Sequence, residues 1–190
     1  MLRTVLAVAL AVALVAAATS ALDSARTARS ERLTEAELDR IEAAAESLVS
    51  EESPAEPGTP GPRRTLTVSL PGESLTTAPV ALVALGGIPG GNSAADTDER
   101  DAFASRIDGG RHRVRRVGFD LRAAVPTENN RGWRLAPDDG PLVLRGGETH
   151  RVVLRLVRID GRPTVVASAR RFKSEDGTTS PHARPAGAIS

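Results

Sequence analysis

The stretch THRVVLRLVRIDGRPTVVASAR, Thr149 to Arg170, decides the fold class. Apolar and polar residues alternate on both sides of Asp160-Gly161. A period of two marks half-buried strands, because successive side chains point to opposite faces of a sheet. Asp-Gly between two such runs fits a two-residue hairpin turn, whose positions must tolerate φ > 0. Pro163 lacks an N–H and so limits ladder pairing where the return strand begins. The strands 149–159 and 164–170 are therefore predicted to form a hairpin.

The same period recurs upstream. Leu66, Val68 and Leu70 alternate with Thr65, Thr67 and Ser69, and Pro71-Gly72 ends the run. Val80–Leu85 is a short apolar run bounded by Pro79 and Gly86-Gly87, which suits a strand buried on both faces. Phe103, Ser105 and Ile107 alternate with Ala102, Ala104 and Arg106, then reach a turn signal at Asp108-Gly109 or Gly109-Gly110. The return strand, Arg111 to Phe119, is the most basic stretch of the chain. A short strand at Leu142–Leu144 precedes a Gly146-Gly147 turn. Residues 86–99 and Pro126–Asp139, the latter holding Trp133, read as loops. About seven short strands over residues 65–172 predict a mainly β chain with a small antiparallel β-sandwich or barrel. Phe103, Phe119 and Trp133 should be its largest buried anchors.

The first fifty residues follow a different rule. No Gly or Pro occurs before Pro54, so nothing interrupts a helix. Thr4–Leu22 carries no charge over 19 residues, close to the ~20 that span a hydrocarbon core. Residues 1–22 thus read as a transmembrane anchor that meets the lipid bilayer through residues 4–22. The alternative is a signal peptide cut after Ala16-Ala17-Ala18 or Thr19-Ser20-Ala21. A buried core helix would need a larger core than the remaining chain can offer. Basic residues flank both ends (Arg3 before; Arg26, Arg29 and Arg32 after), and the bulk of the chain is expected outside the cytoplasm. Residues 23–52 form an amphipathic helix in which Leu38, Ile41, Ala45 and Leu48 make one stripe. That stripe suits packing on the following domain, on like helices in an assembly, or on a partner. Leu33-Thr34-Glu35-Ala36-Glu37-Leu38 fits a capping box with a hydrophobic staple and predicts a helix restarting at residue 35. Residues 53–64 hold four Pro and two Gly and read as a stiff linker at a domain boundary. Residues 173–190 have no apolar period and are expected to be a disordered tail.

The chemical inventory is thin. With no Cys, disulfides, thiolate metal sites and Cys nucleophiles are excluded. Aromatics are 2% of the chain, too few for a stacking platform, and a net charge of +1 gives no strong field, so no nucleic-acid partner is expected. The histidines, His112, His150 and His182, show no metal-ligand spacing, and His150 is expected to reach solvent from the start of its strand. Gly86–Gly91 has no Walker lysine after it and reads as a flexible loop. Asp96–Asp101 departs from a calcium loop at Arg100 and reads as solvated. No catalytic residue, metal or cofactor is assigned. The binding candidates are Arg111, Arg113 and Arg115 on one strand and Arg151 and Arg155 on another. If those strands are neighbours they form a cationic stripe for a polyanion or an acidic partner. The alternative is a solvated face paired with carboxylates. Residues 65–172 hold 16 basic and 12 acidic side chains, an excess too mild for a nucleic-acid binder. Of the 25 basic residues 24 are Arg, which reads as codon bias and not as selection for guanidinium chemistry.

A short basic head, an apolar helix, an amphipathic continuation and a β-rich domain together resemble archaeal type IV pilin-like proteins. The Leu-Ala-Val-rich start, the Arg-for-Lys usage and the Pro-Gly-Pro-Arg-Arg linker are also similar to membrane-anchored proteins of salt-loving archaea. The likeness covers residues 1–52 by architecture. It implies an apolar half that sits in the membrane or a filament core, an outward β domain, and envelope or pilus-assembly proteins as partners. Thr4 follows Arg3, where pilin precursors usually carry Gly or Ala. The sequence thus predicts a non-catalytic, membrane-anchored envelope protein. The alternative is a secreted β-sandwich binding module.

Overall fold

The computed structural model describes residues 2–90, 100–127, 132–136 and 140–171. The expected tail at 173–190 and most of Asp96–Asp101 lie outside the described residues. Among the described residues one helix, α1 (Leu2–Glu51), precedes nine strands: β1 (Arg63–Ser69), β2 (Val80–Leu85), β3 (Ala102–Ile107), β4 (Arg113–Arg116), β5 (Asp120–Pro126), β6 (Trp133–Leu135), β7 (Leu142–Leu144), β8 (Thr149–Ile159) and β9 (Arg162–Arg171). They build a five-stranded sheet in the order β1-β8-β9-β5-β6 and a four-stranded sheet in the order β4-β3-β2-β7. The fold is mainly β, as expected.

The deciding hairpin forms as its pattern predicts. β8 and β9 pair from His150↔Arg171 to Ile159↔Arg162. Asp160 and Gly161 both take positive φ, 49° and 78°, so their side-chain economy matches the turn they make. His150, Val152, Leu154 and Leu156 are buried on one face of β8, and Arg151 is exposed on the other. The ladder on the far side of β9 begins only at Thr164, one residue past Pro163.

Several expectations need correction. The segment after Phe119 is a strand, β5, and it pairs with β9 in parallel. Its sequence, DLRAAVP, alternates weakly because Ala123 and Ala124 are both buried. The loop around Trp133 contains β6. The return strand after Ile107 begins at Arg113, not Arg111, with Gly110 N–H donating to the Ile107 carbonyl at 3.0 Å. Trp133 is half-buried against a small cluster of Ala124, Val157 and Val166, apart from the main core, whereas Phe103 is fully inside it. His150 is buried, with Nε2 3.0 Å from the Arg145 carbonyl.

The helix also differs from its reading. It is continuous, with no restart at residue 35. Thr34 is no cap: its Oγ1 donates to the Ser30 carbonyl one turn back, at 2.8 Å, inside the helix. The capping pattern loses because residues on both sides of Thr34 already have helical partners. The Leu38, Ile41, Ala45, Leu48 stripe is buried, with Leu48 and Ile41 at 0% and 1% exposure, and joins the core formed by the two sheets. Of the expected partners for this stripe, the following domain takes it. Ser30 and Thr34 extend the stripe at i, i+4 spacing and are buried as well.

Residues 53–62 are not a free spacer. Ala55 N–H donates to the Leu156 carbonyl at 3.2 Å, Arg158 N–H to the Ala55 carbonyl at 2.8 Å, and Leu156 N–H to the Pro62 carbonyl at 3.1 Å. The segment runs along β8 and delivers the chain into β1. The Pro-rich composition suits this course, since prolines need no ladder donor.

Candidate functional site

The structure divides the five candidate arginines into two groups. β4 ends the four-stranded sheet, and β8 lies inside the other, so Arg113 and Arg115 are not neighbours of Arg151 and Arg155. No common stripe exists. Arg111 precedes β4, in the turn that faces Thr27 and Glu31 of α1.

Arg113 and Arg115 face the helix. Arg113 pairs with Glu35 and, at 2.7 Å, with Glu31. Arg115 pairs with Asp39 at 2.5 Å and lies 3.2 Å from Glu42, with its guanidinium 5.8 Å from the Phe103 ring centroid. Glu31, Glu35, Asp39 and Glu42 sit at spacings of three and four, so they share one side of α1. These arginines clamp helix to sheet. Arg113 is 49% exposed, so each of its pairs contributes about 0.2–1 kcal/mol at most.

The second group lies on the outer face of the five-stranded sheet. Arg63 stands opposite Arg155 across β1 and β8, and Arg151 stands opposite Arg170 across β8 and β9. Arg155 donates to Ser168 Oγ at 2.9 Å, and its guanidinium is 5.9 Å from the Trp133 ring centroid. Burial, and then the charges of Arg63 and Arg170, lower the Arg155 pKa from its usual range. Arg151 and Arg170 have other partners as well. Trp133, Arg151, Arg155 and Ser168 line a cleft of about 190 Å³. The sequence flagged Arg151 and Arg155 but missed Arg63, Arg170 and Trp133, which join them only through strand order. Among the described residues no three His, Asp or Glu side chains converge as a metal site would require.

The third feature is the helix itself. Every residue from Arg3 to Ala25 is exposed, and burial begins at Arg26. The helix is long and apolar enough to cross a membrane: its most apolar 18-residue window has a mean hydropathy of 2.5, and none of that window is buried. The core-helix reading is therefore excluded. Beyond that point the helix is tied down at once. Arg26 donates to the Ser74 and Thr77 carbonyls at 2.6 and 3.4 Å, and Ser30 Oγ donates to the Ala78 carbonyl at 2.7 Å.

A family model described as a domain of unknown function, DUF7311, matches residues 1–170. The chain belongs to the DUF7311 family. No curated protein and no solved structure matches it. The DUF7311 match takes in the apolar helix, the docked helix and all of the sheets but Arg171. Within this DUF7311 chain, the exposed apolar segment and the β-sandwich belong to one family unit.

Proposed function

We propose that this protein is a non-catalytic, single-pass membrane protein that carries its β-sandwich at the outer surface of the membrane. One observation carries the reading: a continuous helix is bare from Arg3 to Ala25, uncharged from Thr4 to Leu22, and docked from Arg26 onward. Burying the exposed Val and Leu side chains in lipid recovers about 1.5–3 kcal/mol each, which no protein surface here supplies. The absence of any break between the two halves makes the sandwich a rigid continuation of the membrane helix, without a stalk. The short basic head and the signal-like run support an extracytoplasmic sandwich. The half-bare, half-packed helix supports a minor pilin-like or secretion-assembly role, with envelope proteins as partners. Membrane fractionation with external protease tests it. Full-length chain in the membrane, with the sandwich digested from outside, is expected; full-length chain in the soluble cytosol sinks the reading. Intact mass of the mature N-terminus separates an anchor starting at Met1 from a secreted form starting after Ala18 or Ala21. A start at Thr4 or Val5 marks pilin-type processing.

A second reading is a polyanion-binding module, favoured by the crowding of like charge around Arg155. Its contact residues are Arg63 and Arg155 on the sheet, not Arg113 and Arg115. Charge reversal at Arg63 and Arg155 should abolish retention on heparin; unchanged retention removes this reading.

A further inference from the structure

The loop between β1 and β2 is built stiffly around an exposed leucine. Ser74 Oγ accepts the Thr76 and Thr77 N–H groups at 3.2 and 3.1 Å, and Ser74 N–H donates to the Thr77 carbonyl at 3.1 Å. Thr77 Oγ1 donates to the Gly72 carbonyl at 2.8 Å. Arg26 and Ser30 hold the same loop against α1. These bonds fix the loop's position while leaving Leu75 at its tip 89% exposed, more than any other large apolar side chain among the described residues.

A lone exposed Leu is ordinary on a protein surface. The position of Leu75 is not. It shares a cleft with Leu22, Ala25, Arg29 and Arg32, and Leu22 is the last residue of the uncharged run. The tip therefore stands level with the end of the membrane-crossing segment. Arg29 and Arg32 are exposed, and neither pairs with a carboxylate among the described residues. Helix side chains lean toward the N-terminus, which here is toward the bilayer. Arg29 lies about 10 Å along the helix from Leu22, within reach of a snorkelling guanidinium. The nearby acids are Glu73 on the loop, Asp23, which pairs with Arg26 at 3.5 Å, and Glu31, which pairs with Arg113.

We propose that the Pro71–Pro79 loop is a lipid-contact element, in which Leu75 seats at the boundary between headgroups and acyl chains. Arg29 and Arg32 bind the phosphates of anionic lipids beside it. This rests on the membrane reading above. It assigns the β-sandwich a fixed face toward the bilayer: the helix cannot tilt or rotate without withdrawing Leu75.

The chain has no Cys, so single labelling sites are unambiguous. Full-length protein with an environment-sensitive fluorophore at L75C, at V12C within the apolar run, or at E46C is reconstituted into nanodiscs containing spin-labelled lipid. Glu46 is exposed and about 36 Å along the helix from Leu22. Quenching is expected at positions 12 and 75 and absent at 46. Quenching at 12 without 75 overturns this proposal and leaves the membrane reading standing. Quenching at neither overturns both. Phosphatidylglycerol should deepen the quenching at 75 relative to phosphatidylcholine alone, and R29Q/R32Q should remove that increment. An increment that is absent, or unchanged in the variant, overturns the phosphate assignment.

Discussion

Replacing Leu48 by Ala tests whether the helix is part of the core or a tether lying on it. Leu48 has no solvent exposure and lies in the same apolar cluster as residues of both sheets, among them Val68, Phe103 and Leu154. The substitution removes three buried carbons, worth about 2.4 kcal/mol at ~0.8 kcal/mol each. The unfilled space adds a cavity cost, for a total of about 3–4 kcal/mol. Val49, the next residue, is 38% exposed, and Val49→Ala trades slight packing for better helix propensity, so it should change stability by under about 0.5 kcal/mol. A chain starting at Asp23 suits the measurement, because no residue from Arg3 to Ala25 is buried and the packing is kept. Trp133 is the single Trp and lies on the outer face of the five-stranded sheet, far from the substitution in sequence. Urea unfolding followed by Trp133 emission and by helical circular dichroism should give one coincident transition. With a slope near ~2 kcal/mol per molar, L48A should lower the midpoint by about 1.5–2 M. Equal midpoints for L48A and V49A, or helix loss preceding the Trp133 transition, would show that the helix is not part of the core. The helix would then be a separable tether.

Gly146→Ala should cost at least ~2 kcal/mol, because its Cβ would fall 2.1 Å from the Val80 carbonyl oxygen. Gly58→Ala, with positive φ but open space, should cost only about 1 kcal/mol; thermal melts compare the two. In double-mutant cycles Arg113–Glu35 should couple by under about 1 kcal/mol and lose that coupling at high salt; a coupling that survives salt contradicts an exposed clamp. Burial holds the Asp101 carboxyl above its usual range, although its Oδ1 accepts the Leu121 N–H at 2.9 Å. Its proton therefore binds more readily in the folded state. That contribution is full below the unfolded value of about 3.9 and is lost as pH rises through the folded value. Asp101→Asn, which cannot ionise, should melt higher relative to wild type at neutral pH, with the gap closing in acid. A gap that widens in acid contradicts the assignment.

Elements with strong periodicity are legible from the residues alone. The β8–β9 hairpin was legible because β8 alternates along most of its length and meets a second apolar run at Asp160-Gly161, although Thr164–Ser168 of β9 are all buried. The bare apolar segment was legible because nineteen consecutive uncharged residues approach the ~20 that span a hydrocarbon core. β5 was not, since its paired alanines blur the period and its parallel partner lies about forty residues away. The capping box at Thr34 was a true local preference, overridden because a longer helix buries Ser30 and Thr34 against the sheets. Strand order was decided only by tertiary packing, and with it the fate of the arginines. A sequence shows that Arg113 and Arg155 occupy strands. It does not show that the first faces Glu31 and Glu35 of the helix while the second crowds Arg63 and Arg170, because those encounters depend on which edges and faces the sheets present. The same holds for Leu75. Its exposure gains meaning only from the fold, which ties a polar loop to Arg26 and Ser30 and so sets the leucine beside the end of the apolar helix.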